Sequence, residues 1–315
     1  AFAEYGLVML LGRALEGLGF AVAAIVGPVI ANAAASKRAL PIIAGLVAAW
    51  IPVGQLAASF AAPLFLASSG WKGLWWFATL SCLLFMGWAA LFHRRQPEVF
   101  QIESHQNKTP AVGERLIAPQ KLAIVATAAT FMFWSAQYFA YMTWLPQYLV
   151  EQFGLAVQDA TLGYIIPVVL VMISCVAGGG LLRLGLSLPW LLLSALAVQS
   201  LVWWTLPLIE SEEVGLVSLA VYGASAGLVP ACLFATPSTV MGSGRKTGTA
   251  FGIVMTGRNL GVFTGPLLLA WAFSMLGAWD LASPIFGAVT TCCLPFAALL
   301  LIALSRLRQQ GITAA

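Results

Sequence analysis

The sequence predicts an all-α, polytopic membrane protein with about nine transmembrane helices in two bundles. Three observations carry this. Hydrophobic residues make up 61% of the 315 residues and charged ones only 8%, where a soluble domain has roughly a quarter charged. Apolar runs long enough to cross a bilayer, about 20 residues each, recur from one end of the chain to the other. Lys and Arg collect in alternate connections, the asymmetry that orients membrane proteins. No water-soluble fold hides this much apolar surface.

The first span, residues 5–35, carries Arg13 and Glu16 inside an apolar run and ends at Ser36-Lys37-Arg38. At i, i+3 the two charges share a helical face and can pair. They are either a structural ion pair tethering two helices or a pair lining a solute or proton path, because ionisable groups within a span face a partner or a polar cavity. The second span covers residues 40–67 and the third 71–92. Residues 93–120 hold Pro97, Pro110, Pro119 and both charge signs without apolar periodicity, and read as a flexible linker. Six spans follow, at 121–149, 160–182, 188–209, 214–240, 247–276 and 281–304. The expected organisation is therefore a three-helix remnant of an N-terminal bundle at 1–92, a cytoplasmic linker at 93–120, and a six-helix bundle with a short tail at 121–315.

Lys37, Arg38, Arg94, Arg95, Lys108, Arg115, Lys121, Arg183, Arg245, Lys246, Arg306 and Arg308 fall on one side and Lys72 on the other. The basic side is expected to be cytoplasmic, the C-terminus with it, and the membrane to be the inner (plasma) membrane. Nine spans then place residue 1 outside, and three further helices are expected upstream.

Composition also narrows the function. The five cysteines lie in apolar runs without disulfide or metal spacing, and both histidines sit in or beside one polar loop. No cofactor or metal is expected. There is no P-loop for ATP, no nucleophile elbow and no cluster of catalytic carboxylates, so an enzyme is not expected. Orientation explains the basic loops, and no nucleic-acid partner is expected. The partners expected are the bilayer, a small-molecule solute and protons, with the chain monomeric.

Arg258, in Thr256-Gly257-Arg258-Asn259-Leu260-Gly261, lies about 15 Å into its span by the helical rise, near the middle of the bilayer core. An unpaired Arg there costs several kcal/mol. No Asp or Glu occurs mid-span in the second half. Its partner is then an anionic solute, Glu16 across a cavity, or the carbonyls of a neighbouring broken helix. Arg13 and Arg258 are expected to face one aqueous pocket. Gly257, Gly261 and Gly265 form a stripe that lets another backbone approach. In the fourth span Thr130, Trp134, Gln137, Tyr141 and Trp144 share a broad face. The residues assigned to solute binding are Arg13, Arg258, Gln137, Tyr141, Trp134 and Asn259, with Gln55 a weaker candidate. Glu16 is assigned to proton coupling, since a carboxyl in low dielectric can titrate near neutral pH.

Arg13-Ala14-Leu15-Glu16-Gly17-Leu18-Gly19 resembles the fourth-helix motif of the major facilitator superfamily, an Arg followed by Gly-x-Gly. The linker sits where that family joins its two six-helix halves, and Trp144-Leu145-Pro146-Gln147-Tyr148-Leu149-Val150-Glu151 with Gly154 is similar to the end of its seventh helix. A Gly17, Pro28, Lys37-Arg38 pattern recurs as Gly227, Pro237, Arg245-Lys246, as duplicated halves would. The resemblance implies helices four to twelve of a truncated major facilitator fold, and a secondary active transporter, symporter or antiporter, working by alternating access. With the buried arginines it implies a permease for a small solute, an organic anion, possible coupling to protons being assigned to Glu16. The alternative is efflux of amphipathic drug-like compounds. Two departures bear on this. The span around Trp50-Ile51-Pro52-Val53-Gly54-Gln55 lacks the Gly-Pro and Gly pair of many drug–proton antiporters. Gly178-Gly179-Gly180-Leu181-Leu182-Arg183-Leu184-Gly185 keeps the glycines and an Arg of the cytoplasmic gate motif but has no acidic partner.

Overall fold

In hydrocarbon a backbone N–H has no water to bond, so a single apolar segment satisfies its peptide groups only as a helix. The computed structural model describes residues 5–36, 38–97, 116–209, 212–241, 245–276 and 279–311. Its helices are α1 (Gly6–Ala34), α2 (Leu40–Ala48), α3 (Trp50–Arg95), α4 (Ala118–Phe153), α5 (Val157–Arg183), α6 (Leu188–Thr205), α7 (Glu212–Ala226), α8 (Leu228–Met241), α9 (Arg245–Leu276), α10 (Ala282–Thr291) and α11 (Cys293–Gln309). Among the described residues these supply nine segments long and apolar enough to cross a membrane.

Breaks within the helices fall at identifiable residues. The second span runs from α2 into α3 and the third fills the rest of α3, which is kinked at Gly70, whose φ of 61° is open to glycine at little cost. α7 and α8 form one span with a break at Gly227. A Cβ there would collide with Ser174 Oγ and the Val171 carbonyl, so the glycine marks where this span crosses α5. α4 is longer than expected at both ends. Pro119 sits in its first turn and Gly154, at φ 63°, closes it in the left-handed conformation. Most of the 93–120 linker lies outside the described residues; α3 reaches Arg95 and α4 begins at Ala118.

The buried core belongs mainly to the six C-terminal spans, with α4 at its centre. α4 and α9 meet backbone to backbone. Cβ atoms at Gly257, Gly261 and Gly265 would strike the carbonyl oxygens of Ala128, Met132 and Ala136. Small residues drive such packing in membranes, where lipid removes the hydrophobic drive between helices. Buried hydroxyls are satisfied locally: Thr127 donates to the Ala123 carbonyl (2.7 Å), Thr130 to Ala126 (2.8 Å) and Thr236 to Cys232 (3.0 Å). The N-terminal spans lean on this bundle, α1 against α9 and α2 against α5 and α8.

Candidate functional site

The glycine stripe fixes one face of α9 against α4, and Arg258, one residue on, is turned about 100° away from it. That rotation carries the side chain toward α1 and α3. Arg258 is 3% exposed. Its Nη1 donates to Asn259 Oδ1 at 2.8 Å. Its Cζ lies 5.3 Å from the ring centre of Phe139, 5.5 Å from Phe20 and 5.9 Å from Trp50. Each ring face attracts a cation, the more so where water is excluded. The three rings come from α4, α1 and α3, so the guanidinium sits where the two groups of helices meet.

The cage leaves donors unused. Arg258 Nε–H is buried without a partner, and so is the indole Nε1–H of Trp50. Trp50 stacks on Phe20 (5.4 Å) and meets Phe234 edge-on (6.5 Å). Among the described residues no carboxylate bonds Arg258. The local chemistry is thus one cation and a second N–H donor, both short of an acceptor in an apolar surround. Such donors cost about 1–3 kcal/mol each, and more for a charged group.

Next to the cage a polar bridge joins the two groups of helices. Tyr138 donates to Gln55 Oε1 (3.0 Å), and Gln55 Nε2 donates to the Tyr164 hydroxyl oxygen (2.9 Å). Tyr138 also meets Phe139 of the cage edge-on at 5.2 Å.

Arg13 and Arg258 are not brought together. Arg13 Nη1 bonds Glu16 Oε2 at 2.7 Å, with the side chains 54% and 56% exposed, and its Cζ lies 5.0 Å from the Trp75 ring. The pair is self-satisfied, seven residues or about 10 Å along α1 from Phe20. Asn259 is at the cage. Gln137 and Tyr141 are buried inside the C-terminal bundle instead. Gln137 Oε1 accepts from Tyr222 (2.9 Å), and Tyr141 packs edge-on against Trp203 (5.2 Å), Tyr222 (5.3 Å) and Phe286 (6.2 Å). Gln137 Nε2, the Tyr141 hydroxyl and Trp203 Nε1 have no partner there. Trp134 stacks on Tyr138 (4.9 Å) and gives its indole proton to Gln199 Oε1 (3.0 Å). Trp144 donates to the Pro266 carbonyl at 3.2 Å.

Toward the Arg38 end the two groups of helices touch directly. Asn32 Nδ2 donates to Ser238 Oγ at 2.9 Å. α2 and α5 cross at glycines: a Cβ on Gly179 would lie 2.6 Å from the Pro41 carbonyl oxygen, and one on Gly45 2.6 Å from that of Cys175.

Sequence reasoning missed Phe20, Trp50, Phe139 and Tyr164. A signal existed for the rings. With no acid mid-span in the second half, aromatic faces were a further class of partner for a buried Arg.

A family model described as Major Facilitator Superfamily matches residues 1–266. No curated protein matches the chain.

Proposed function

We propose that this chain, which belongs to the Major Facilitator Superfamily and is a secondary transporter integral to a membrane, carries a small organic anion whose charge is recognised by Arg258. One observation carries the reading. The guanidinium is buried among three aromatic rings with its Nε–H unpaired, beside a second unpaired donor on Trp50. A carboxylate accepts from both and neutralises the cation, so an empty and a loaded site differ in free energy by several kcal/mol. Asn259, hydrogen-bonded to the guanidinium, holds it in place.

The site lies between the helix groups that must rock apart in alternating access. Gln55, bonded to Tyr138 and Tyr164 across that junction, is the polar contact that rocking would break. The crossing of Gly45 and Gly179 and the Asn32–Ser238 bond would close the basic, cytoplasmic end. Glu16 is the proton-coupling group in this reading. Its partner Arg13 lies about 10 Å along α1 from Phe20 of the cage, which separates coupling from solute binding. The test is uptake of labelled organic anions by the full-length protein in proteoliposomes. Arg258→Ala should abolish it; unchanged uptake would sink the anion assignment.

The aromatic lining of the cage supports a second reading, efflux of amphipathic compounds. The two differ in the charge they accept. Arg258 repels amphipathic cations, so resistance of expressing cells to cationic drugs would favour efflux.

A further inference from the structure

Between α2–α3 and α5 the structure has an open groove of about 660 Å³, within the range of small-molecule sites. Leu46, Trp50 and Val53 line one wall at helical spacing, and Ile173 and Val176 the other. Apart from the Trp50 indole, its lining side chains are all apolar. Leu46, Val53, Ile173 and Val176 are 44–56% exposed at its mouth. Trp50 belongs to both places: it is in the groove lining and its ring stands 5.9 Å from the Arg258 Cζ. An apolar trough is thus walled in part by an indole that also stands beside a buried cation with an unpaired N–H.

We infer that the solute is an amphiphilic monocarboxylate, its unbranched apolar tail lying in this groove and its carboxylate passing Trp50 to reach Arg258. The inference rests on the anion reading of Arg258 and adds the tail. Charge complementarity fixes the head, because Arg258 and Trp50 both offer N–H donors and no acceptor. The groove fixes the rest, because it offers a head no hydrogen bond and a tail continuous apolar contact. A short hydrophilic anion would leave the groove unused. Trp50 is a positioning residue in this scheme, since its indole must turn for the head to pass.

The test is calorimetric titration of the purified full-length protein in nanodiscs with butanoate and octanoate, after subtraction of empty nanodiscs. Full burial of a methylene is worth roughly fourfold in affinity. Four extra methylenes in a half-open groove should make octanoate bind at least tenfold tighter than butanoate. Val176→Trp and Leu46→Trp, both at exposed positions that tolerate bulk, should each cut that ratio below about threefold. Arg258→Gln should weaken both carboxylates. If octanoate binds no tighter than butanoate, or the ratio survives both groove variants, the tail site is wrong. The anion reading stands in that case if Arg258→Gln still weakens binding. A change in co-purifying phospholipid with the ratio intact would assign the groove to a membrane lipid and also overturn the inference. Full affinity of Arg258→Gln for both acids would remove the anion reading and this one with it.

Discussion

Gly179→Ala should hold the basic end of the transporter open, and the structure supplies the size of the effect. The added methyl would sit 2.6 Å from the Pro41 carbonyl oxygen and 3.1 Å from Gly45 Cα. Both obstacles are backbone, so no side chain can swing aside. An ordinary carbon–oxygen contact needs more than about 3 Å, and α2 must retreat from α5 by several tenths of an ångström. Overpacking of this kind costs about 1–3 kcal/mol. If the contact exists only while this end is closed, the cost falls on that conformer alone. The closed-to-open ratio then drops by roughly 5- to 150-fold. Neighbouring Gly180 is the control: a Cβ there meets nothing within 4 Å, and Gly180→Ala should be neutral or slightly stabilising through helix propensity. The assay is the rate at which a membrane-impermeant maleimide labels Asn32→Cys in a background lacking the native cysteines. Asn32 bonds Ser238 across the same closure, so its accessibility reports opening. Faster labelling in Gly179→Ala and not in Gly180→Ala is expected. Equal labelling in both would refute the claim that this crossing is a gate.

Further expectations follow from particular bonds. Gln55→Leu strips partners from Tyr138 and Tyr164 and should destabilise the purified protein by about 1–3 kcal/mol for the buried Tyr138 hydroxyl left unpaired, read as a lower melting temperature. Trp134→Phe should be more destabilising than Trp203→Phe, although each loses the same atoms. The Trp134 indole N–H is bonded to Gln199 and leaves that acceptor bare, whereas the Trp203 N–H has no partner to lose; comparison of the two melting curves decides it. Glu16→Gln should abolish stimulation of uptake by a pH gradient while equilibrium binding of the anion persists. Gradient-stimulated uptake by that variant would remove Glu16 from coupling.

The spans are legible in the sequence because length and apolarity alone decide what crosses a bilayer. Their joints are legible only in part. Gly70 and Gly227 are glycines among many, and what sets them apart is a non-helical kink in one case and a close approach to Ser174 in the other. The glycine stripe of α9 could be read as a packing face because its spacing repeats every four residues, and α4 lies against it. Arg258 could be singled out by depth. Its surroundings could not, since Phe20, Trp50 and Phe139 come from three helices whose rotations are set by contacts distant in sequence. The same limit explains Gln137 and Tyr141. Helical spacing puts them on the face shared with Trp134, but only packing shows that face turned into the C-terminal bundle, against Tyr222, Trp203 and Phe286. Arg13 and Glu16 show the converse. Their i, i+3 spacing correctly anticipates the ion pair, yet pairing leaves Arg13 with no need of the pocket that holds Arg258.

The most direct measurement compares a carboxylate with its uncharged amide at equilibrium, in the wild-type protein and in Arg258→Gln. The account predicts that the wild type prefers the carboxylate by at least tenfold and that the variant discriminates less than about twofold. Undiminished preference for the carboxylate in Arg258→Gln would contradict it.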